Sequence, residues 1–377
     1  MTGSAANGGV SGSSPDWTSG TEWLTGAGPH ADVVLSSRVR LARNLAGFPF
    51  MPRASRSDRA EVLELCRQRL TAAGVFGGGD GNGDGLSWID LHRATRLDRA
   101  LLVERQLISK QHATGKLSTG TGGADEPRGV AMSLPDERLG VMVNEEDHLR
   151  MQVIRSGLDL QGALEEIDGI DDRLEAQLDF AYSARFGYLT ACPTNVGTGI
   201  RLSVMMHLPA LKMTGEIEKV KQAAEDMSLA VRGHHGEGSD AHGDLYQLSN
   251  QTTLGKSEHV LLSEMQGEIV PQVIEYERRA RAALLERRRT ETEDAVMRAL
   301  GILRHARLLQ AEEAMNLLSK VRLGVLTGLI DGIDQQAVNA MWLHIEPAHL
   351  QRVVGAELSQ RERRAARAEL VRTRLSG

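Results

Sequence analysis

The sequence predicts an α+β fold, with an α+β unit of catalytic type followed by an all-α unit. Three observations predict it. Short β-prone apolar runs, bounded by Gly, Pro and Asn turns, recur up to about residue 262. Amphipathic helical patterns lie between them. From about residue 263 the character changes, and Glu and Arg in i,i+4 relation dominate to the end. No repeat of solenoid period is present.

The bulk composition narrows the function. A chain of 377 residues with 41% apolar content can bury real cores. A net charge of −6 gives no global case for nucleic acid or an anionic membrane, and 3% aromatics argues against base-stacking surfaces. Cys66 and Cys192, the two cysteines, lie far apart and form neither a disulfide framework nor a CxxC zinc pattern. That fits a reducing cytoplasm. No basic residue precedes Arg38 and no apolar h-region is present, so a signal peptide is not expected. No apolar run is long enough to span a bilayer.

Residues 1–30 are rich in Gly, Ser and Thr and read as a flexible leader, its second half, with Trp17 and Trp23, docking. Structure is expected from Asp32. Val33 to Leu35 reads as a short strand, followed by Ser36, Ser37, Arg38, Val39 and Arg40. On a strand Arg38 and Arg40 share a face, where two guanidiniums repel unless they share an anion. Paired surface salt bridges are the alternative; Arg43 close by, and no acid between Asp32 and Asp58, favour the anion. Residues 57–72 read as a helix with Val62, Leu65, Cys66 and Leu70 on one stripe, which makes Cys66 a core residue. Residues 77–85 read as a loop insertion. Asp80, Asn82, Asp84 and Gly85 imitate an EF-hand, but Leu91 stands where a bidentate Glu is needed, so calcium is rejected.

Leu97 to Leu107 reads as a helix, followed by Ile108 to His112. Val130–Leu134 and Leu139–Val143 read as strands around a Pro135-Asp136 turn. The acidic run Glu145, Glu146, Asp147 then needs a compensating cation. It is either a solvated turn or a buried cluster in which Arg150 keeps a strong base ionised. Residues 158–182 read as an amphipathic helix. Later come a helix at Ile217–Met227, a strand at Leu229–Val231, and a Gly-rich turn from Arg232 to Gly238. The adjacent His234 and His235 lack the spacing to converge on a metal. Leu245–Ser249 and Glu258–Leu262 read as strands. Pro271 starts or kinks the first of the terminal helices. The tail carries arginines at 361, 363, 364, 367, 372 and 374, either a solvated face or an anion patch.

The stretch from 187 to 207, GYLTACPTNVGTGIRLSVMMH, combines a thiol, a glycine turn and an arginine. Gly197, Thr198 and Gly199 allow close backbone approach to a ligand, and the planar fork of Arg201 suits phosphate. A surface hairpin with a half-buried Cys192 is an equal reading of this stretch alone. Arginines at 38, 40, 150, 201 and 232, with no Walker motif, suggest a nucleoside triphosphate held by guanidiniums. With Glu145, Glu146 and Glu237, the parts needed for phosphoryl transfer are present.

Four motifs in order, SSRVRLARN, NEEDHLRMQ, LTACPTNVGTGIRLSVMMHLPAL and VRGHHGEGS, together resemble the phosphagen (guanidino) kinases over roughly residues 32 to 262. Within them the chain is most similar to the bacterial protein-arginine kinases, a likeness that QLSNQTTLGKSE shares. The creatine and metabolic arginine kinases carry a helical N-terminal domain of about a hundred residues ahead of SSRVR, and lack the helical C-terminal part seen here. Only 35 residues precede the motif in this chain. The resemblance implies a leader at 1–30, a phosphagen-kinase-like catalytic domain at 31–265 (an antiparallel sheet flanked by helices) and a helical domain at 266–377.

The resemblance also implies roles. ATP would be bound by Ser36, Ser37, Arg38, Val39, Arg40, His112, Arg150, Arg201, Leu202, Ser203, Val204, Met205, Arg232, Gly233, His234, His235 and Gly236. The arginines among them would clamp the phosphates, and His112 would lie at the adenine or ribose side. Glu146 would be the base and Glu237 would hold the substrate guanidinium. Cys192 would sit beside it as a thiolate, in a substrate loop with Thr194, Asn195 and Gly197. Mg²⁺ would be held by nucleotide and water, with no protein metal site. The implied reaction carries the γ-phosphoryl of ATP to arginine in a protein, marking clients for Clp-type proteolysis and tuning stress response. The alternatives are a kinase of free arginine or another small guanidino compound, or a non-catalytic phosphoarginine-binding adaptor. Implied partners are an McsA-like activator, a ClpC-type unfoldase, a CtsR-type repressor and a second copy of the chain as homodimer. Neither nucleic acid nor membrane is implied as a partner. The RDxxRA motif of these kinases, which reads phosphoarginine, aligns with Arg363 to Ala368. There Arg363, Arg367 and Ala368 match, but Arg364 replaces the Asp.

Overall fold

The computed structural model describes residues 17, 20–75, 85–116, 122–233, 242–251 and 253–375. The leader up to residue 16, the loop insertion as far as residue 84, and His234, His235, Gly236 and Glu237 lie outside the described residues. The chain divides into two compact units. One holds Arg40–Val153 and Glu166–Ile200; the other holds Trp17–Val39, Ile154–Glu165 and the chain from Arg201 on. Three elements run through both: β1 (Val34–Arg43), β5 (Leu149–Ser156) and α4 (Leu160–Glu175).

In the first unit β2 (Leu86–Asp90), β3 (Gly129–Ser133), β4 (Leu139–Val143) and β5 form an antiparallel meander. The unit also holds α1 (Arg56–Ala72), which packs on β4, α2 (Arg96–Glu104), and the short α3 (Lys110–Thr114), which packs on α2 and reaches β3 through His112. Each helix begins where its sequence supplies a hydroxyl to an orphan N–H: Ser55 caps α1, Thr95 caps α2 and Ser109 caps α3. As expected, Cys66 on α1 is fully buried, and burial pushes its thiol up to about 12. A two-stranded hairpin, β6 (Tyr182–Ser183) and β7 (Gly187–Tyr188), precedes the thiol loop.

In the second unit β8 (Ile200–His207, from Arg201), β10 (Leu245–Asn250) and β9 (Leu229–Gly233) pair antiparallel with β10 in the middle. Helices α5 (Pro209–Met213), α6 (Ile217–Asp226), α7 (Glu258–Leu262), α8 (Val270–Arg287), α9 (Arg289–His305), α10 (Ala311–Leu326), α11 (Gln335–His344), α12 (Pro347–Val354) and α13 (Gln360–Leu375) follow. Trp23 and Leu24 pack into a core with Val296, Leu300, Leu318 and Trp342. The core is pinned by Arg322, which is fully buried. It donates to the carbonyls of Ala31 (2.6 Å) and Asp32 (3.0 Å) and to Asn339 Oδ1 (2.8 Å).

Two expectations change. Glu258–Leu262 is a helix, not a strand. The Ser257 hydroxyl accepts the Val260 N–H at 3.3 Å, and the helix runs on through a π-helical stretch, Ser263–Ile269, into α8. The helical part therefore starts earlier than about residue 263. Pro271 sits in the first turn of α8, where its missing N–H is harmless. The strand expected at Val33–Leu35 is the start of a ten-residue strand that includes both Arg38 and Arg40.

Candidate active site

The acidic run forms the tight turn between β4 and β5. Asn144 takes a positive φ of 62° there, and its amide group donates to the carbonyls of Arg59 and Pro127. The turn is a buried cluster rather than a solvated one, since Glu145 is 5% exposed and Asp147 0%. Glu145 accepts from the Ser109 hydroxyl at 2.6 Å, from the Glu146 N–H at 2.8 Å and from Arg150 Nη1 at 2.8 Å. Burial opposes its charge, but the Arg150 guanidinium and the Ser109 hydroxyl outweigh it, holding the carboxyl at about 2. Glu146 is more open, with an oxygen 3.8 Å from Arg150 Nη1. The compensating cation that three adjacent carboxylates require is therefore Arg150.

Asp147 points the other way. Its Oδ1 accepts from Asn44 Nδ2 at 2.6 Å and from the Ala191 N–H at 2.7 Å. Asn44 Oδ1 in turn accepts the His148 N–H at 2.9 Å, and Nδ2 also reaches the Leu189 carbonyl at 3.1 Å. Burial pushes the Asp147 carboxyl above its ordinary value. One side chain thus ties the acidic turn to the residue preceding Cys192. In the loop itself, the Thr190 hydroxyl donates to the Cys192 carbonyl at 2.7 Å, and Cys192 Sγ lies 3.1 Å from Thr194 Oγ1. Cys192 is half-buried, and Asn195 and Gly197 are partly exposed on the same loop. Gly199 has a φ of +69°, and a Cβ there would meet the Ala42 carbonyl at 2.7 Å, so the loop can return to β1 only through glycine.

His112 is buried in α3, its Nε2 3.0 Å from the Gly129 carbonyl. Burial lowers it to about 4, so the ring is neutral near pH 7. It lines a pocket with Met51, Arg59, Lys116, Arg128 and Glu146.

In the second unit the arginines share a face. Ser203 and Ser249 oppose each other across β8 and β10. Arg38 Nε donates to Ser203 Oγ at 3.4 Å, and Arg201 Nη2 to Ser249 Oγ at 3.3 Å. Arg232 lies opposite Gln247, two residues from Ser249, and so joins the same face. Three guanidiniums with two hydroxyls make a donor surface that suits phosphate oxygens and repels a cation. Arg40 on β1 is likewise partly exposed. By contrast Val39, Leu202 and Val204 are fully buried, and Met205 belongs to the core around Trp342. Ser36 is buried, and Ser37 is occupied by the Gly157 carbonyl (2.8 Å) and the Asp159 N–H (2.9 Å). Gly233 ends β9.

On α13, Arg367 donates to the carbonyls of Ile345 (2.6 Å) and Leu309 (3.0 Å), and Arg363 to that of Leu358 (2.7 Å). Ala368 is buried. Among the described residues no group of three or more His, Cys, Asp and Glu could hold a metal ion, and no helix is long and apolar enough to cross a membrane.

Residues 74–280 match the family described as ATP:guanido phosphotransferase, C-terminal catalytic domain. A protein-arginine kinase of Symbiobacterium thermophilum is 45% identical over 94% of this chain and 97% of its own length. One of Halothermothrix orenii is 43% identical over the same shares. The chain belongs to the protein-arginine kinase family. Residues 289–377 match the protein-arginine kinase McsB C-terminal domain. Among solved structures, the duplicated taurocyamine kinase from Schistosoma mansoni aligns with a TM-score of 0.54 and 28% identity, over 71% of this chain and 35% of that one. The enzyme uses ATP to phosphorylate arginine residues of proteins, and its fold is α+β.

Sequence reasoning missed three supporting residues. Asn44 closes the motif SSRVRLARN but has no role assigned there, and Ser109 lies outside the motifs as an ordinary cap residue. Asn250, whose Oδ1 accepts the Leu202 N–H at 2.8 Å, ends a strand and reads as a turn former. Each acts through a contact distant in sequence.

Proposed function

We propose that Glu146 is the base that takes a proton from the target guanidinium. The observation that carries this is the contrast inside the acidic turn. Glu145, held at about 2 by Arg150, is too weak a base to take that proton, whereas Glu146 is more open and stands farther from Arg150. The guanidino nitrogen then attacks the γ-phosphorus as the bond to the ADP oxygen breaks. Arg38, Arg40, Arg150, Arg201 and Arg232 clamp the phosphates, with His112 at the nucleoside side. Mg²⁺ would be held by the nucleotide phosphates and water, in keeping with a guanidinium-rich donor set. Cys192 lies beside the guanidinium as a thiolate, and Glu237 orients it.

The finer biology forms part of the same proposal. The protein acts in the cytoplasm as a homodimer, with the catalytic domain at 31–265 and the helical domain at 266–377. It marks clients for Clp-type proteolysis with a ClpC-type unfoldase, tunes stress response through a CtsR-type repressor, and answers to an McsA-like activator. A phosphoarginine site at Arg363, Arg367 and Ala368 would have to draw the two guanidiniums away from their carbonyl partners.

The test is acid-labile, base-stable phosphate on a protein acceptor. Glu146→Ala should fold normally and lose roughly 10²–10⁴-fold in rate. Cys192→Ser should be impaired without being abolished. Full activity in the Glu146 variant would remove the base assignment.

A further inference from the structure

The hairpin β6–β7 exposes an aromatic surface that neither the core nor the reaction uses. Tyr182 is 62% exposed and Phe186 44%, in a chain with only 3% aromatic residues. The hairpin is rigidly mounted. Tyr182 pairs with Tyr188, their rings 5.4 Å apart at 74°. Tyr188 in turn lies under the Arg43 guanidinium at 3.6 Å and meets Phe180 edge-on, the ring centres 6.3 Å apart. Its hydroxyl donates to Glu175 at 3.3 Å. The hairpin is also fastened to the thiol loop, since the Tyr188 N–H donates to the Gly197 carbonyl at 2.8 Å and the Gly197 N–H returns to Tyr188 at 3.3 Å. A Cβ on Gly187 would strike that carbonyl at 2.4 Å, so the close approach depends on glycine.

We infer that Tyr182 and Phe186 form a docking platform for the polypeptide on either side of the target arginine. The occupant follows from what lies on each side of it. The substrate of the family is arginine within a protein, so the guanidinium in the site is attached to a chain that must leave it across this surface. Cys192 follows Tyr188 by four positions, so at most about 13 Å of chain separates them. An extended client would therefore meet the aromatic pair within about four residues of its arginine. The surface beside the hairpin carries both signs of charge, with Asp172, Arg173, Glu175 and Asp179 exposed and the Arg185 guanidinium over the Phe186 ring at 5.0 Å, so the aromatic rings rather than a net charge would recognise the client. The platform selects extended chains with apolar residues near an arginine, as unfolded proteins display, over arginines on a folded surface. The inference rests on the placement of the target guanidinium beside Cys192.

The experiment uses the full chain, ATP and Mg²⁺ with two arginine peptides, one with leucine and phenylalanine three to four residues from the arginine and one with glycine and serine there. The wild type should show a KM at least about tenfold lower for the apolar peptide. Tyr182→Ser/Phe186→Ser should raise that KM to the level of the polar peptide, with kcat and the KM for ATP retained, and Phe186→Trp should restore part of the preference. Equal KM values for both peptides in the wild type, or a preference that survives in the double variant, would overturn the platform. So would a change of the double variant to a smaller species by light scattering, which would assign the surface to a second copy of the chain. A Cys192→Ser variant with unaltered turnover would instead discard the placement of the guanidinium, whatever the KM values show.

Discussion

Replacing Glu145 by glutamine isolates the charge at the centre of the acidic turn. The amide keeps an oxygen for the Ser109 hydroxyl but removes the nearer of the two carboxylates paired with the Arg150 guanidinium. The carboxyl lies at about 2 in the folded protein against an ordinary 4.5. At 1.36 kcal/mol per pH unit, that difference corresponds to about 3 kcal/mol of stability near neutral pH. It agrees with the 3–5 kcal/mol typical of breaking a buried ion pair by removing one partner. The sign follows from the depressed folded value. The contribution is fully present above the unfolded pKa and disappears as pH falls towards about 2, so about 1.4 kcal/mol remains at pH 3. Arg150, whose pKa burial lowers but Glu145 raises further, stays charged throughout. Urea unfolding followed by tryptophan fluorescence, run on wild type and Glu145→Gln from pH 7 to pH 3, measures the gap directly. A gap below about 1 kcal/mol at pH 7, or one that does not narrow on acidification, would refute the account of the turn as a charge-stabilised cluster.

Two further outcomes follow from the geometry. Arg322→Met should lower stability by roughly 3 kcal/mol or more in urea, because it strips the carbonyls of Ala31 and Asp32 of a buried donor. Gly199→Ala should cost on the order of 1–3 kcal/mol and slow turnover, since its positive φ and the Ala42 carbonyl at 2.7 Å both exclude a side chain; an unchanged melting temperature would count against the loop's described path.

What could be read in the sequence was what is local. Period-two placement of Arg38 and Arg40 is visible in five letters, and so is the apolar stripe that buries Cys66. The need for a cation beside three carboxylates is visible too, because like charges must be answered wherever they fold. The run Glu258–Leu262 is ambiguous because its apolar content suits either period, and the Ser257 cap decides for a helix. The partnership of Asp147 with Asn44 and the Ala191 N–H was not legible. It joins positions more than forty and a hundred residues apart, and neither Asn nor Asp announces its partner. Of the residues expected around ATP, the alternation of β8 separates Arg201 and Ser203 from Leu202 and Val204. A motif string lists them together, but the pleat sends them to opposite sides.

That same pleat gives β1 a metric function. Arg40 and Asn44 stand four residues apart on one strand-and-exit segment, about 13 Å at the rise of extended chain. Asn44 is bolted to Asp147, and Arg43 is locked to Asp171 and to the Thr198 carbonyl at 2.9 Å. The segment is a ruler with its zero mark fixed at the thiol loop, and the guanidinium of Arg40 is read off a fixed number of divisions away. Lengthening it by one residue would invert the side on which Arg40 projects, while lengthening it by two would restore the side and displace the charge by about 7 Å. A pair of such insertion variants would therefore separate the need for an arginine at this point from the need for an arginine at this distance.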